Sequence, residues 1–325
     1  MKKCVVMLLV GIFFVSVTAI AADKPIIMRL AGVHPATYPN GIANTKFAEL
    51  VEQKTNGRIK IENYYAGELG DQKSYIEQMQ LGTLDFADVS ASPLESFVPI
   101  FGVLSMPYLY KDRDHKWRIL ASEVGQDLLN ELQSAGFYGI AFYESGSRNF
   151  YAKEPIKSLA DLKGKKIRVM QAQVCIDSIN VMGGNAVPMA FSEIYSALQQ
   201  GVIDGAENNP STVLSQSHYE QAPYFTNDAH VQIPDVLIAS KKALDKLSPE
   251  DREAIFEAGR ETWPVQRKAF DDNELKAIED LKAKGVTFID LDEETMQTFS
   301  DAVAPVFEKY GKKFGTYLER MKAID

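Results

Sequence analysis

The sequence predicts an α/β protein built from two similar lobes around a ligand cleft, and three observations carry that prediction. Strands and helices alternate at short spacing along most of the chain, the pattern of α/β domains with mostly parallel sheets. The run Gln80-Leu-Gly-Thr-Leu-Asp-Phe-Ala87 resembles Gln200-Gly-Val-Ile-Asp-Gly-Ala206: in each a helix stops at glycine before a short strand carrying aspartate, at an offset of 119 residues. The 325 residues, 46% of them apolar and 24% charged, suffice for two globular domains of ordinary size. Two such lobes leave a crevice between them, with strand ends facing it.

Taken in order, the elements read as follows. Residues 28–33 form a strand marked by Leu30 and Val33. Residues 42–54 form a helix, because Ala43, Phe47, Leu50 and Val51 fall at helical spacing and Gly57 ends it. Ile59 and Ile61 alternate with Lys60 and Glu62 in a second strand. A helix over 72–81, a strand over 83–89, a helix over 114–133 and a strand over 138–143 follow. Next come a short strand at Ile167-Arg168-Val169, a helix over 174–182, a strand at Ala186-Val187 and a helix over 193–200 capped by Ser192. Ser248-Pro249-Glu250-Asp251 is a strong helix start, with a capping serine, proline at the first helical position and acids in the first turn. That helix runs towards Leu281, long enough to brace two lobes, and Pro264 should kink or split it. A late strand over 285–289 and helices over 293–310 and 314–322 complete the chain.

The first 22 residues stand apart. Lys2 and Lys3 precede an apolar run from Val5 to Val15, and Ala19-Ile20-Ala21 offers a cleavage site, the layout of a secretory signal peptide. The net charge is −9, and −11 once the two lysine charges leave with that segment. This argues against nucleic acid, whose binding needs a basic face. An anionic ligand would therefore be caught by local geometry against an unfavourable overall field. Cys4 lies in the leader and Cys175 stands alone, so no disulfide framework is expected.

Catalytic chemistry is hard to find. His34, His115, His218 and His230 do not pair with each other or with cysteine at metal-ligand spacing, and no metal or cofactor is expected. The chain has no nucleophile elbow, phosphate loop or dinucleotide fingerprint. Two arginines remain. A guanidinium on a strand between Ile167 and Val169 points away from their face, and its planar fork suits a carboxylate. Arg148 follows the preceding strand. By residue type each reads more readily as a structural ion pair, with Glu207 available, than as a ligand anchor. Gln171, Asn208 and Asn209 suit ligand hydroxyls and are equally ordinary turn residues. Tyr38, Phe142, Phe150 and Phe191 could form an apolar wall or belong to the core, which is the preferred reading for Phe142.

Several longer stretches resemble one family. They are Glu144-Ser-Gly-Ser-Arg148, Lys153 to Gly164, Lys166-Ile-Arg-Val169, Gly183 to Tyr195 and Ala197 to Pro210, with Leu69-Gly-Asp71 and Met106-Pro-Tyr108. Together they resemble the solute-binding proteins of tripartite ATP-independent periplasmic (TRAP) transporters, the DctP type. The resemblance implies a periplasmic binding-protein fold, two α/β lobes around a hinge, with a long helix crossing both. It divides the chain into a signal peptide (1–22), a first lobe (23–145 plus about 235–272) and a second lobe (146–234 plus about 273–325). It also implies a non-enzymatic, monomeric protein, exported to the periplasm of a Gram-negative bacterium, that hands a small organic acid to membrane permease subunits.

The resemblance further implies site residues. Arg168 matches the carboxylate clamp, Arg148 a second basic position, and Gln171, Phe191 and Asn208 positions lining the site. Sialic-acid binders have asparagine where Gln171 stands, which disfavours that ligand. His34-Pro35, Tyr38-Pro39, the residues around Arg148, Glu207-Asn-Asn-Pro-Ser211 and His230 look most like members that bind hexuronates such as D-glucuronate and D-galacturonate. Gln72, Ser90, His34 and His230 join Glu207 as further candidates for reading the ligand. The competing readings are a binder of a C4-dicarboxylate, keto acid or aldonate, a ligand-sensing periplasmic protein, and a sugar-acid hydrolase or lyase using Glu207 or His34 as base.

Overall fold

The computed structural model describes residues 24–325, so the segment expected to be a signal peptide, with Cys4, lies outside the described residues. Eleven strands form two mixed sheets. The strands are β1 (Ile26–Gly32), β2 (Ile59–Tyr64), β3 (Phe86–Ser90), β4 (Phe137–Tyr143), β5 (Arg148–Ala152), β6 (Lys166–Val169), β7 (Asn185–Pro188), β8 (Gly205–Asn208), β9 (Tyr224–Val231), β10 (Asp235–Ser240) and β11 (Thr287–Asp290). The first sheet has the order β2-β1-β3-β10-β4 and the second β11-β9-β5-β8-β6-β7. In the first sheet β10 runs antiparallel to both its neighbours, and in the second β5 does. The remaining pairings are parallel. The sheets are thus less uniformly parallel than the sequence pattern suggests, because each receives one strand from a crossover.

The repeat seen in the sequence is structural. The helices Gln72–Leu81 and Ile194–Gln200 both end at a left-handed glycine, Gly82 and Gly201, with φ of 82° and 74°. In each unit the aspartate precedes the strand and binds the backbone of the parallel neighbour. Asp85 accepts from the Arg29 amide at 2.8 Å, and Asp204 from the Lys166 amide at 2.8 Å. Their own carbonyls accept from the antiparallel neighbour, Ser240 N at 2.7 Å and Lys153 N at 3.0 Å. Each aspartate therefore fastens three strands at one end of its sheet.

Two crossovers join the sheets side by side. Residues 144–147 link β4 to β5, and 232–234 link β9 to β10. Tyr143 faces Asp235 on one side of the junction, and Arg148 faces Val231 on the other. Glu144, fully buried, accepts from the amides of Ser145 (3.0 Å) and Gly146 (2.7 Å), from Arg113 Nε (2.8 Å), and from Lys116 and Trp117. Burial alone would push its carboxyl up; the Lys116 and Arg113 charges hold it down at about 2. The long helix, Pro249–Ala283, is capped by Ser248 Oγ and runs unbroken through Pro264. It packs first on the helix Pro39–Lys54 and β4, then on the helix Pro210–Ser215. Between those contacts Gln266 exchanges hydrogen bonds with both backbone groups of Glu144, at 2.7 and 2.8 Å.

Three local expectations are corrected, and three strands are added. The helix expected over 114–133 is two, Arg113–Leu120 and Glu123–Glu131, because Ser122 caps a new start by accepting from Val124 N at 3.1 Å. Ser192 caps nothing; the Glu193 side chain instead accepts from Ala190 N at 3.0 Å. The last two helices meet at Val303, ahead of Pro305, and not near Gly311. Strands β5, β9 and β10 had no counterpart in the sequence reading. The last helix, Ala304–Lys322, packs on helices of both sheets: Tyr310 Oη donates to Asp177 at 2.6 Å beside β6, and Arg320 to Asp127 at 2.6 Å beside β4. Among the described residues no helix is long and apolar enough to cross a membrane.

Candidate functional site

A narrow cleft opens where the two sheets face each other across the crossovers. One wall comes from the first sheet and its loops, including His34, Gln72, Ser90 and Asp235. The facing wall comes from the second sheet, including Arg148, Arg168, Gln171, Phe191 and Asn208. Eight of the ten residues singled out in the sequence therefore line one space. Glu207 and His230 do not; they stand behind Arg148.

The two arginines have different surroundings. Arg148 opens β5 and is the ion pair that residue types suggested. Its Nε donates to Glu207, its Nη2 to Glu207 Oε1 at 3.0 Å and to the Glu207 carbonyl at 2.6 Å, and its Nη1 to Asn208 Oδ1 at 3.2 Å. His230 completes the support. It stacks on Phe150 with centroids 4.5 Å apart, pairs with Asp228 at 2.6 Å, and approaches Glu207 at 3.8 Å.

Arg168 has no such partner. It is 3% exposed, and its Nε and Nη2 both donate to the Met189 carbonyl, at 3.0 and 2.8 Å. Among the described residues no carboxylate lies within ion-pair distance of it. Of five guanidinium donors, three remain for the cleft. Burial pulls its pKa down to about 10, partly offset by the Glu207 charge, so it stays cationic at neutral pH. An unpaired buried cation is expensive unless a ligand supplies the anion.

The neighbours are oriented as donors and acceptors. Asn208 Oδ1 accepts from Arg148 and from Asn209 N (2.9 Å), which leaves its amide hydrogens for the cleft. Gln72 Oε1 accepts from Ser90 N at 3.1 Å, fixing the two together. His34 stacks on Tyr38 at 4.0 Å and meets the edge of Phe191 at 5.3 Å. Burial, then Arg148, lowers its pKa to about 3, so the ring is neutral, and its buried Nδ1 has no partner in the protein. Gln171 is at the exposed rim.

Other expectations resolve differently. Asn209 caps the helix Pro210–Ser215 and donates to the Ser145 carbonyl at 2.9 Å, so its role is structural. Tyr38 is buried, with its hydroxyl 3.0 Å from Thr212 Oγ1. Phe142 and Phe150 belong to the core, and of the four aromatic residues only Phe191 lines the cleft. The sequence reading missed Asp71, Lys73, Ser145, Thr212 and Asp235. Asp235 had a legible signal, a lone carboxylate at the head of the apolar run Val236-Leu-Ile-Ala239. No triad of His, Cys, Asp or Glu placed to hold a metal ion is found among the described residues.

The family described as bacterial extracellular solute-binding protein, family 7 (DctP), matches residues 30–313. A solute-binding protein of Chromohalobacter salexigens is 35% identical over 279 residues, covering 86% of this chain and 82% of its own. A TRAP periplasmic solute-binding protein from Pseudomonas putida F1, solved with bound D-glucuronate, superposes with a TM-score of 0.90 at 38% identity, covering 92% of this chain and 98% of that one. Its counterpart from Sulfitobacter sp. NAS-14.1, solved with β-D-galacturonate, gives 0.87 at 35% identity, covering 92% and 99%.

Proposed function

The chain belongs to the DctP family of bacterial extracellular solute-binding proteins, and from that premise we propose that it captures a hexuronate in the periplasm and delivers it to a TRAP permease. The observation that carries the ligand assignment is the unpaired, buried Arg168 guanidinium with three donors left for the cleft. The uronate carboxylate docks there through two parallel charge-assisted hydrogen bonds, each contributing roughly 1.5–3 kcal/mol net. The Asn208 amide and Arg148 add donors on the same wall. His34, Gln72 and Ser90 read ring hydroxyls from the opposite wall, and Phe191 covers an apolar ring face. The relatives solved with D-glucuronate and β-D-galacturonate share this fold and support the hexuronate class.

The two sheets act as the two lobes, and residues 144–147 and 232–234, with the long helix, serve as the hinge. Closure follows because contacts to both walls exist only when the cleft is shut. The protein acts as a monomer after export. The test is a thermal-shift panel of sugar acids, keto acids and dicarboxylates followed by calorimetry. D-Glucuronate and D-galacturonate should raise the melting temperature with concentration as mass action requires. A panel in which only non-uronates do so would overturn the assignment.

A further inference from the structure

The wall facing the arginines carries a carboxylate that an acid-binding cleft would be expected to avoid. Asp235 is 5% exposed and lines the cleft beside Ser90, its register partner at the adjoining ends of β10 and β3. No lysine or arginine of the described residues forms an ion pair with it. Its Oδ2 accepts from Asn40 Nδ2 at 2.9 Å, and Ser145 lines the cleft with it.

Asn40 cannot turn away from this contact. The same Nδ2 donates to Asp88 Oδ1 at 3.1 Å, and the Asn40 carbonyl oxygen accepts from Gln266 of the long helix at 2.9 Å. Both amide hydrogens and the amide oxygen of Asn40 are engaged, so the Asp235 carboxylate is held in place. A carboxylate accepts up to about four hydrogen bonds, and the protein donors named here do not exhaust that capacity.

The chemistry then discriminates between anions. A hydroxylated monocarboxylate brings its charge to Arg168 and its hydroxyl hydrogens to an acceptor. A dicarboxylate brings a second negative charge against Asp235 and has no hydroxyl donor there to compensate. We infer that Asp235 is a specificity-determining residue of this cleft, accepting sugar hydroxyls opposite Arg168 and excluding dicarboxylates. This rests on the sugar-acid reading above and adds to it the group that enforces it.

The test is calorimetry on the full mature chain with D-glucuronate, D-galacturonate, succinate and fumarate. Asp235→Asn is isosteric and can keep the Asn40 contact through its carbonyl, but it presents donors where an acceptor stood. It should lose about 10- to 100-fold in uronate affinity, the scale of one hydrogen bond to a charged group, and its preference over the dicarboxylates should shrink. Asp235→Ser, smaller and uncharged, provides a second variant with the same expectation should the first fail to fold. Asp88→Asn alters the same Asn40 network outside the cleft and should leave the uronate-to-dicarboxylate ratio unchanged. Wild-type chain that binds no uronate would sink the sugar-acid reading and this inference with it. Wild-type chain that binds uronate, with both Asp235 variants equally tight and equally selective, would sink this inference alone.

Discussion

Replacing the two arginines should separate affinity from stability. Arg168→Lys keeps a charge in the cleft but loses the planar fork, so at best one of two parallel bonds to the ligand survives. Losing one charge-assisted bond, about 1.5–3 kcal/mol, weakens uronate binding by roughly 10- to 100-fold at about 1.4 kcal/mol per decade. Arg168→Ala, which loses both, should cost about 3–6 kcal/mol of binding, roughly two to four decades. Neither should unfold the protein, because Arg168 holds only the Met189 carbonyl and no buried carboxylate depends on it. Arg148→Lys is the contrast. It leaves Glu207, 3% exposed, with a weakened partner and breaks the bonds to the Glu207 and Asn208 oxygens. Removing one partner of a buried pair outright costs about 3–5 kcal/mol; Arg148→Lys, which keeps the charge but loses the fork, should cost less than that and appear as a lower melting temperature without ligand. Calorimetry gives the affinities and ligand-free thermal melts give the stabilities. Unchanged uronate affinity in Arg168→Ala would refute the clamp. An equal loss of melting temperature in the Arg168 and Arg148 variants would refute the distinction between them.

Two further outcomes follow from buried groups near the crossovers. Asp88 lies among Asn40, Asn44 and Asp235, and burial, then the Asp235 charge, pushes its carboxyl up to about 8. The folded state thus holds a proton that the unfolded chain, with a carboxylate near 3.9, releases. That contribution to stability is complete below pH of about 4 and is lost as pH rises through about 8, at up to roughly 1.4 kcal/mol per pH unit. Melts across pH 5 to 8 should show a shallower pH slope in Asp88→Asn, and identical slopes would exclude a protonated Asp88 in the folded state. Gly146→Ala places a Cβ at φ 65° about 2.8 Å from Glu274 Oε1 and 2.9 Å from the fully buried Phe270 ring, whereas Gly164→Ala at φ 77° meets nothing within 4 Å. The first should lower the melting temperature clearly more than the second, since overpacking adds about 1–3 kcal/mol to the backbone strain common to both; equal shifts would mean the crossover has room to relax.

The limits of reading the sequence show at these same residues. Composition and spacing presented Arg148 and Arg168 as equivalent, each with Glu207 in reach. Register separates them: β5 runs antiparallel beside β8 and aims Arg148 at Glu207, while β6 runs parallel on the other side of β8 and leaves Arg168 to a backbone carbonyl. The resemblance singled out Arg168, the arginine that has no carboxylate partner among the described residues, as the clamp, and no local pattern could have made that choice. The Asp85 and Asp204 units were legible because a helix, a left-handed glycine and an aspartate are contiguous in sequence. Strand β9 was not, because Asp228 and His230 are buried polar residues that break the alternation, and their partners, the Phe150 amide, Phe150 ring and Glu207, lie far away in the chain. The split at Ser122 and the shifted junction at Val303 did carry signals, Ser122 before Glu123 and Pro305 near a helix start, which helical periodicity overrode.

The number of passages between the sheets has a practical consequence. The chain leaves the first sheet at 144–147, returns at 232–234, leaves again along the long helix, and returns with its last helix. Four passages are an even number, so both ends of the described chain lie on the same body: Ile26 is in β1, and the Ile324 carbonyl lies 2.9 Å from His115 Nε2 beside β4. Under the closure proposed above, a pair of fluorescent reporters on the two ends would stay silent as the cleft opens and shuts. A reporter on the exposed turn at Gly183, at the far edge of the second sheet, paired with either end, would register the motion. Surface immobilisation through either terminus would hold the first sheet and leave the second free to swing.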